Sequence, residues 1–199
     1  MVKKFATEIS NDELAAMPAA HFDGDIRVVE DDAGMREAYD YLSQHKILGF
    51  DTETRPSFTP RHINRMSLVQ LSTYERCYLI RLCKTGKLSG EIVSLLQNRN
   101  ILKVGVAVTG DIQGLNKVQK VKADGFVELQ TEVKKFGIEN FSLRKMAGIT
   151  LGERVSKAQR LSNWEAAALT EQQQMYAATD AWVCLKIYDA LQSANTDSM

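Results

Sequence analysis

The sequence predicts an α/β domain of three layers, with helices on both sides of a mixed sheet. Two compact apolar runs of strand length, 47–50 and 101–108, are followed by Asp51 and by Thr109-Gly110. Helical apolar periods alternate with them. Two alternating segments, 67–72 and 76–81, are separated only by Thr73-Tyr74-Glu75, the pattern of an antiparallel hairpin.

Residues 1–25 read as a helical lead-in. Ser10 and Glu13 have capping-box spacing before Leu14-Ala15-Ala16-Met17, and Pro18 ends the run. Ile26 to Glu30 is a short strand. Met35, Ala38, Tyr39 and Leu42 give residues 33–45 a helical period. Ile47-Leu48-Gly49-Phe50 is a buried strand that runs into Asp51-Thr52-Glu53. Residues 54–64 hold Pro56 and Pro60 and little periodicity, which predicts a loop. Residues 88–98 form an amphipathic helix. Ile101 to Val108 reads as a strand that breaks at Gly110, with a helix starting at Asp111.

Gly125 to Leu129 predicts a last short strand. Helical periods follow at 130–136 and 142–149, the second capped by Ser142. Residues 150–163, with Arg154, Lys157 and Arg160, read as a mobile loop. Thr170 and Gln173 form a second capping box, which opens a long helix to about Leu191 ahead of a polar tail at 193–199. Trp164 and Phe141 are expected as packing anchors.

Composition narrows the classes. A chain of 199 residues can bury a sizeable core, and 44% hydrophobic with 25% charged residues is ordinary for a globular protein. No apolar stretch reaches the ~20 residues of a membrane span, and no apolar block follows Lys3-Lys4 as a secretory signal requires. Cys77, Cys83 and Cys184 have neither C-x-x-C nor metal-ligand spacing. They are expected as buried or half-buried thiols of a reducing compartment, so a cytoplasmic location is expected by elimination. Lys+Arg equals Asp+Glu at 25 each, which argues against a broad basic footprint for nucleic acid but not against a grip on one strand end.

The chemistry lies in four carboxylates and a phenol. Asp51 and Glu53 are two apart on a strand and so project to the same side. Two bare anions there repel, and a divalent cation removes that cost; oxygen ligands of this type select Mg²⁺ or Mn²⁺. Taken alone, D-x-E is more often a solvated strand end. Asp111 stands at a second strand-to-helix junction, where by itself it reads as a helix cap. Gly105 and Gly110 have some look of a phosphate loop, but Asp111-Ile112 follows where a Walker motif needs Lys-Ser/Thr. Tyr176 and Asp180 share one face of the last helix, beside Ala177, Ala178 and Ala181, which let a helix approach a sheet closely.

Together these pieces form a matched set. Phe50-Asp51-Thr52-Glu53-Thr54, then Val104-Gly105-Val106 with Gly110-Asp111, then Tyr176-Ala177-Ala178-Thr179-Asp180-Ala181 resemble the three motifs of the DEDD superfamily of 3′-5′ exonucleases, in its tyrosine-type subfamily. Leu68 to Leu71, Cys77 to Ile80, Phe141-Ser142-Leu143 and Leu161 to Trp164 extend the resemblance, which is nearest to the Werner-helicase type of exonuclease domain and covers about 26–191. It implies a ribonuclease H-like fold with the exonuclease domain at 26–192.

The resemblance also implies two metal ions about 3.5–4 Å apart that clamp a phosphate. Asp51 would bridge both, Glu53 and Asp180 would hold the ion that activates water, and Asp111 would help hold the other. Tyr176 would orient the water. The partner implied is a nucleic acid with a free 3′ end, single-stranded or frayed, with DNA favoured over RNA and nucleoside 5′-monophosphates as products. Thr52 and Thr54 are candidate contacts to the terminal nucleotide, and Lys157 and Arg160 candidate contacts to a phosphate.

Two other classes compete: a binding module with a dead site, and an enzyme acting on mononucleotides only. Filled motif positions argue against decay. Ser142-x-x-Lys145 and Lys84-Thr85-Gly86 mimic motifs of penicillin-recognising enzymes, but their order is reversed and S-D-N is missing.

Overall fold

The computed structural model describes residues 5–56 and 65–196. Most of the loop expected at 54–64 therefore lies outside the described residues. Along the chain run α1 (Asn11–Ala16), β1 (Asp25–Val29), α2 (Asp32–Leu42), β2 (Ile47–Thr54), β3 (Met66–Ser72), β4 (Arg76–Arg81) and the single turn α3 (Leu82–Thr85). There follow α4 (Gly90–Gln97), β5 (Leu102–Gly105), α5 (Val108–Val118), β6 (Phe126–Glu128), α6 (Leu129–Lys134), α7 (Leu143–Leu151) and α8 (Glu171–Thr196).

The strands make one six-stranded sheet in the order β1-β4-β3-β2-β5-β6. β3 runs antiparallel to its neighbours β2 and β4, and the remaining pairs are parallel, so the sheet is mixed. Strand alternation sorts the side chains. Leu48, Phe50, Val69, Leu71, Tyr78 and Ile80 pack with α2, α4 and α5 on one face. Leu68, Cys77 and Leu79 meet Ala177 and Ala178 of α8 on the other. Val104 joins α6, α7 and the rest of α8 there. The expected three layers are present.

Both capping boxes form. The Ser10 hydroxyl accepts from Glu13 N–H and Glu13 accepts from Ser10 N–H. Thr170 and Gln173 exchange the same pair of bonds at the start of α8. Among the described residues of the lead-in, Asn11–Ala16 is the helical part, and tertiary backbone bonds hold Thr7, Pro18 and Ala20 on either side of it. At the other end α8 runs to Thr196, past the expected stop at Leu191, because Ala194 still packs into the core. Cys83 is exposed rather than sheltered, since α3 is one turn at the surface. Among the described residues no helix is long and apolar enough to cross a membrane.

The strand expected to reach Val108 stops at Gly105. Ala107 takes a left-handed backbone, φ 57°, and α5 begins at Val108, three residues before Asp111. The Glu128 carboxylate accepts from the N–H groups of Ala107 and Val108, both at 2.9 Å. A cap from a distant strand thus overrides the β-propensity of the Val-rich run.

Two buried cations brace the frame. Lys103 ends its fully buried side chain on the carbonyls of Asn98 and Ile101, both at 2.8 Å, and Leu95 at 3.3 Å, closing the end of α4. Burial lowers its pKa to about 8. Arg81, also fully buried, pairs with Glu30 and donates to the carbonyls of Ala166 and Ala167, tying β4 to the segment that leads into α8.

α8 comes close against the sheet at Gly49. A Cβ there would lie 2.0 Å from the Ala181 carbonyl oxygen, so only glycine fits. Gly49→Ala is expected to cost about 1–3 kcal/mol by overpacking, read as a drop in Tm of a few to roughly ten degrees. Gly110→Ala, where a Cβ meets nothing within 4 Å, is the control and should leave Tm unchanged or raise it.

Candidate active site

β2 carries Asp51 and Glu53 out of the apolar stretch Leu48-Gly49-Phe50 and along the face that α8 covers. The close contact at Gly49 seats α8 so that Asp180, one residue before Ala181, comes down beside them. The three residues offer carboxylate oxygens within 4.8 Å of one another. Asp51 and Glu53 are half-buried as residues, and Asp180 is buried.

Such crowding is unfavourable to the ionised forms. Burial, followed by the charges of Asp180, Glu53 and Asp111, holds the Asp51 carboxyl well above the usual carboxylate range. Burial and the charges of Asp180 and Asp111 raise Glu53 to about 8. Burial raises Asp180 to about 7, although a hydrogen bond from Tyr176 opposes the rise. Asp180 Oδ1 is buried without a hydrogen-bond partner among the described residues. An orphaned oxygen beside two crowded carboxyls is the environment that a divalent cation relieves, and an all-oxygen donor set suits a hard ion. The residues therefore fit a metal centre.

Asp111 stands outside this triad. It lies in the first turn of α5, whose helix packs on the opposite face of the sheet from α8. The Thr52 hydroxyl, at the end of β2, donates to its carboxylate at 2.5 Å. Its charge still reaches both Asp51 and Glu53. Burial raises its own pKa to about 6, with Glu128 adding to the rise and Thr52 opposing it. Thr52, a candidate contact to the terminal nucleotide, uses its hydroxyl in this structure to orient the Asp111 carboxylate. Thr54 is exposed at the strand end, just past a register shift between Glu53 and Thr54.

Tyr176 sits one turn before Asp180 and hydrogen-bonds to it; burial and then Asp180 push the phenol above its ordinary range. Its ring packs 6.0 Å from that of Trp164, which is fully buried as an anchor should be. Phe141 is half-buried under Lys134, 4.8 Å away. The Glu165 carboxylate, next to Trp164, bonds Arg55 at 3.3 Å and the Ser67 hydroxyl at 3.2 Å, fastening this segment to the ends of β2 and β3. Lys157 and Arg160 are exposed on a turn and make no ion pair among the described residues. That turn does not hang free at its base: Arg154 pairs through its backbone with Pro18 and Ala20.

Sequence reasoning missed two residues. Glu128 fixes the start of α5 and hence Asp111; its signal was an acidic residue at a strand-to-helix junction, the same kind of signal that singled out Asp111. Gln70 pairs in register with Asp51 on β3, so both side chains project to the α8 face. It is fully buried, and neither amide atom has a partner among the described residues. A lone Gln within Leu68-Val69-Gln70-Leu71 was the sign that something polar lies beside it.

A mixed sheet between two helical layers, with three carboxylates gathered at the end of one strand, defines a class. Residues 26–194 match the 3′-5′ exonuclease domain, and the chain belongs to that family, with the ribonuclease H-like fold its motifs implied. It is 35% identical over 173 residues to the mouse bifunctional 3′-5′ exonuclease/ATP-dependent helicase WRN, covering 84% of this chain and 12% of that protein. It is 31% identical over 160 residues to exonuclease 3′-5′ domain-containing protein 2 of Drosophila melanogaster, covering 79% and 27%. The chain thus spans a small part of either relative's length. Among solved structures, the Aedes aegypti Nibbler EXO domain superposes with a TM-score of 0.81 at 23% identity, over 91% of this chain and 94% of that one. Escherichia coli RNase D gives 0.77 at 21%, over 87% and 46%.

The raised carboxyls set a pH dependence for the metal-free protein. Their folded pKa values exceed the unfolded value near 4, so the folded chain holds more protons than the unfolded chain between pH ~4 and ~8. Stability is then greatest on the acid side and is lost as pH rises through about 6, 7 and 8 for Asp111, Asp180 and Glu53. Asp180→Asn should flatten this decline and raise the metal-free Tm at pH 8. Added Mn²⁺ should raise the wild-type Tm more at pH 8 than at pH 6. Thermal denaturation in chelator and in metal checks all three expectations.

Proposed function

We propose that this chain removes nucleotides one at a time from the 3′ end of a polynucleotide, by metal-assisted hydrolysis, releasing nucleoside 5′-monophosphates. The observation that carries the proposal is the meeting of Asp180 with Asp51 and Glu53, with one Asp180 oxygen left bare. Two divalent ions, Mg²⁺ or Mn²⁺, would supply charge neutralisation at the scissile phosphate and an attacking water of lowered pKa.

The protein's part is positioning. Asp51, Glu53 and Asp180, whose carboxylate oxygens lie within 4.8 Å of one another, would hold the ions, with Asp51 as the shared ligand that the family motifs imply. Asp111, oriented by Thr52, approaches from the other face. Tyr176 keeps its proton at neutral pH and donates it in a hydrogen bond to Asp180, so it would orient water through its hydroxyl oxygen rather than act as a base. Lys157 and Arg160, exposed on the turn beside α8, offer cations to backbone phosphates, and Thr54 flanks the carboxylates.

DNA is the favoured polymer, supported by the Werner-type motifs and by 35% identity to the murine exonuclease/helicase. Ribonucleases share the fold, at 21% identity for RNase D.

The test is digestion of 5′-labelled DNA and RNA, single- and double-stranded, with Mg²⁺, Mn²⁺ or chelator. A ladder shortening from the 3′ end, lost in chelator, is expected, with DNA consumed faster. Asp51→Ala should lower kcat by more than ~100-fold, since even outer-shell changes at metal sites cost 10–100-fold. Tyr176→Phe should lower kcat by roughly 10–100-fold and leave metal affinity within a factor of about two. Intact oligonucleotide in every lane would end the proposal.

A further inference from the structure

Beside the carboxylates lies a cleft of about 490 Å³ whose walls come from three parts of the chain. One wall is α8, through Met175, Tyr176, Thr179 and Asp180. A second is the turn after α7, through Ser156 and Gln159. The third is the lead-in, through Ala20 and His21. The volume falls in the range of small-molecule sites. Asp180 lines this cleft and also belongs to the carboxylate triad, and Tyr176 lines the cleft one turn before it.

The third wall precedes residues 26–194, the segment that matches the family. It is nevertheless built in. Ala20 N–H donates to the Arg154 carbonyl at 2.9 Å, Arg154 N–H donates to the Pro18 carbonyl at 2.8 Å, and Arg154 Nε donates to the Met17 carbonyl at 3.0 Å. Immediately beyond, Phe22 is buried, its ring 5.8 Å from that of Trp182 on α8. The stretch at 19–21 is therefore held against the turn at one side and against α8 at the other.

We infer that the lead-in completes a subsite for the nucleotide being released, with Ala20 and His21 against one side of its base. This rests on the exonuclease reading. The chemistry of the lining fits a base: Ala20, Met175 and the Tyr176 ring offer apolar area to a flat face, while His21, Ser156 and Gln159 put hydrogen-bonding groups at the rim for its polar edge. The phosphate end of the same unit would face Asp180, the one carboxylate of the triad that lines the cleft. The occupant is a nucleoside 5′-monophosphate unit.

The experiment uses the full chain with Mn²⁺. Wild type, Ala20→Phe, His21→Ala and Ala19→Phe are compared for KM and kcat on a 5′-labelled oligonucleotide. Binding of dAMP and AMP is measured separately by calorimetry. Ala20→Phe, which fills the cleft, should raise both KM and the Kd for dAMP by about tenfold, equivalent to about 1.4 kcal/mol. His21→Ala should raise them in the same direction and less. Ala19, on the same stretch but exposed and outside the cleft lining, should tolerate the change.

Unchanged KM and Kd in both Ala20→Phe and His21→Ala, with Tm retained, overturns the inference, as does a wild type that digests oligonucleotide but binds no monophosphate. Equal effects of Ala19→Phe and Ala20→Phe overturn it too, since they mark a general disturbance. If Ala20→Phe does not fold, His21→Ala decides alone. A wild type that digests nothing refutes the exonuclease reading instead, which keeps the two failures apart.

Discussion

One backbone approach governs the site. α8 lies on β2 with the Ala181 carbonyl where a Cβ of residue 49 would be, and only hydrogen fits in the gap. That contact brings a third carboxylate to two that alternation had already placed side by side. The apolar packing of α8 on the sheet must outweigh the mutual repulsion it enforces. Ala177, Ala178 and Ala181 make this possible, because larger side chains there would lift the helix and relax the crowding.

The second face of the sheet contributes by a different route. Asp111 reaches the strand end from α5, and its position depends on a chain of caps: Glu128 on β6 sets where α5 starts, and Thr52 on β2 orients the carboxylate. Two strands thus cooperate to place one oxygen pair. Gln70 adds a buried polar neighbour on β3, directly across from Asp51. The sheet is a mounting plate: Asp51 and Glu53 on one face, and Thr52 holding Asp111 on the other, stand together at the end of β2.

Local rules made much of this legible. The apolar run ending in Asp51-Thr52-Glu53 announced both the strand and the shared side of its carboxylates. Tyr176 and Asp180 announced one helix face, and the alanines between them announced a close approach. Both capping boxes formed from the spacing of their residues alone. What stayed hidden depends on partners far apart in the chain. Val106-Ala107-Val108 reads as strand by composition, yet a carboxylate twenty residues away turns it into a helix start. The Thr52 hydroxyl looked free for substrate because Asp111 is fifty-nine residues distant. The basic segment at 150–163 looked loose because nothing local reveals that Arg154 pairs with Pro18 and Ala20.

That last pairing has a wider consequence. Two of the bonds joining the lead-in to Arg154 run backbone to backbone, so they do not specify which side chains stand at 19–21. A lineage can therefore exchange those residues without touching the carboxylates or the helix that carries Asp180. Selectivity and chemistry become separable by mutation, the first drifting on an interchangeable strip while the second stays locked in the sheet.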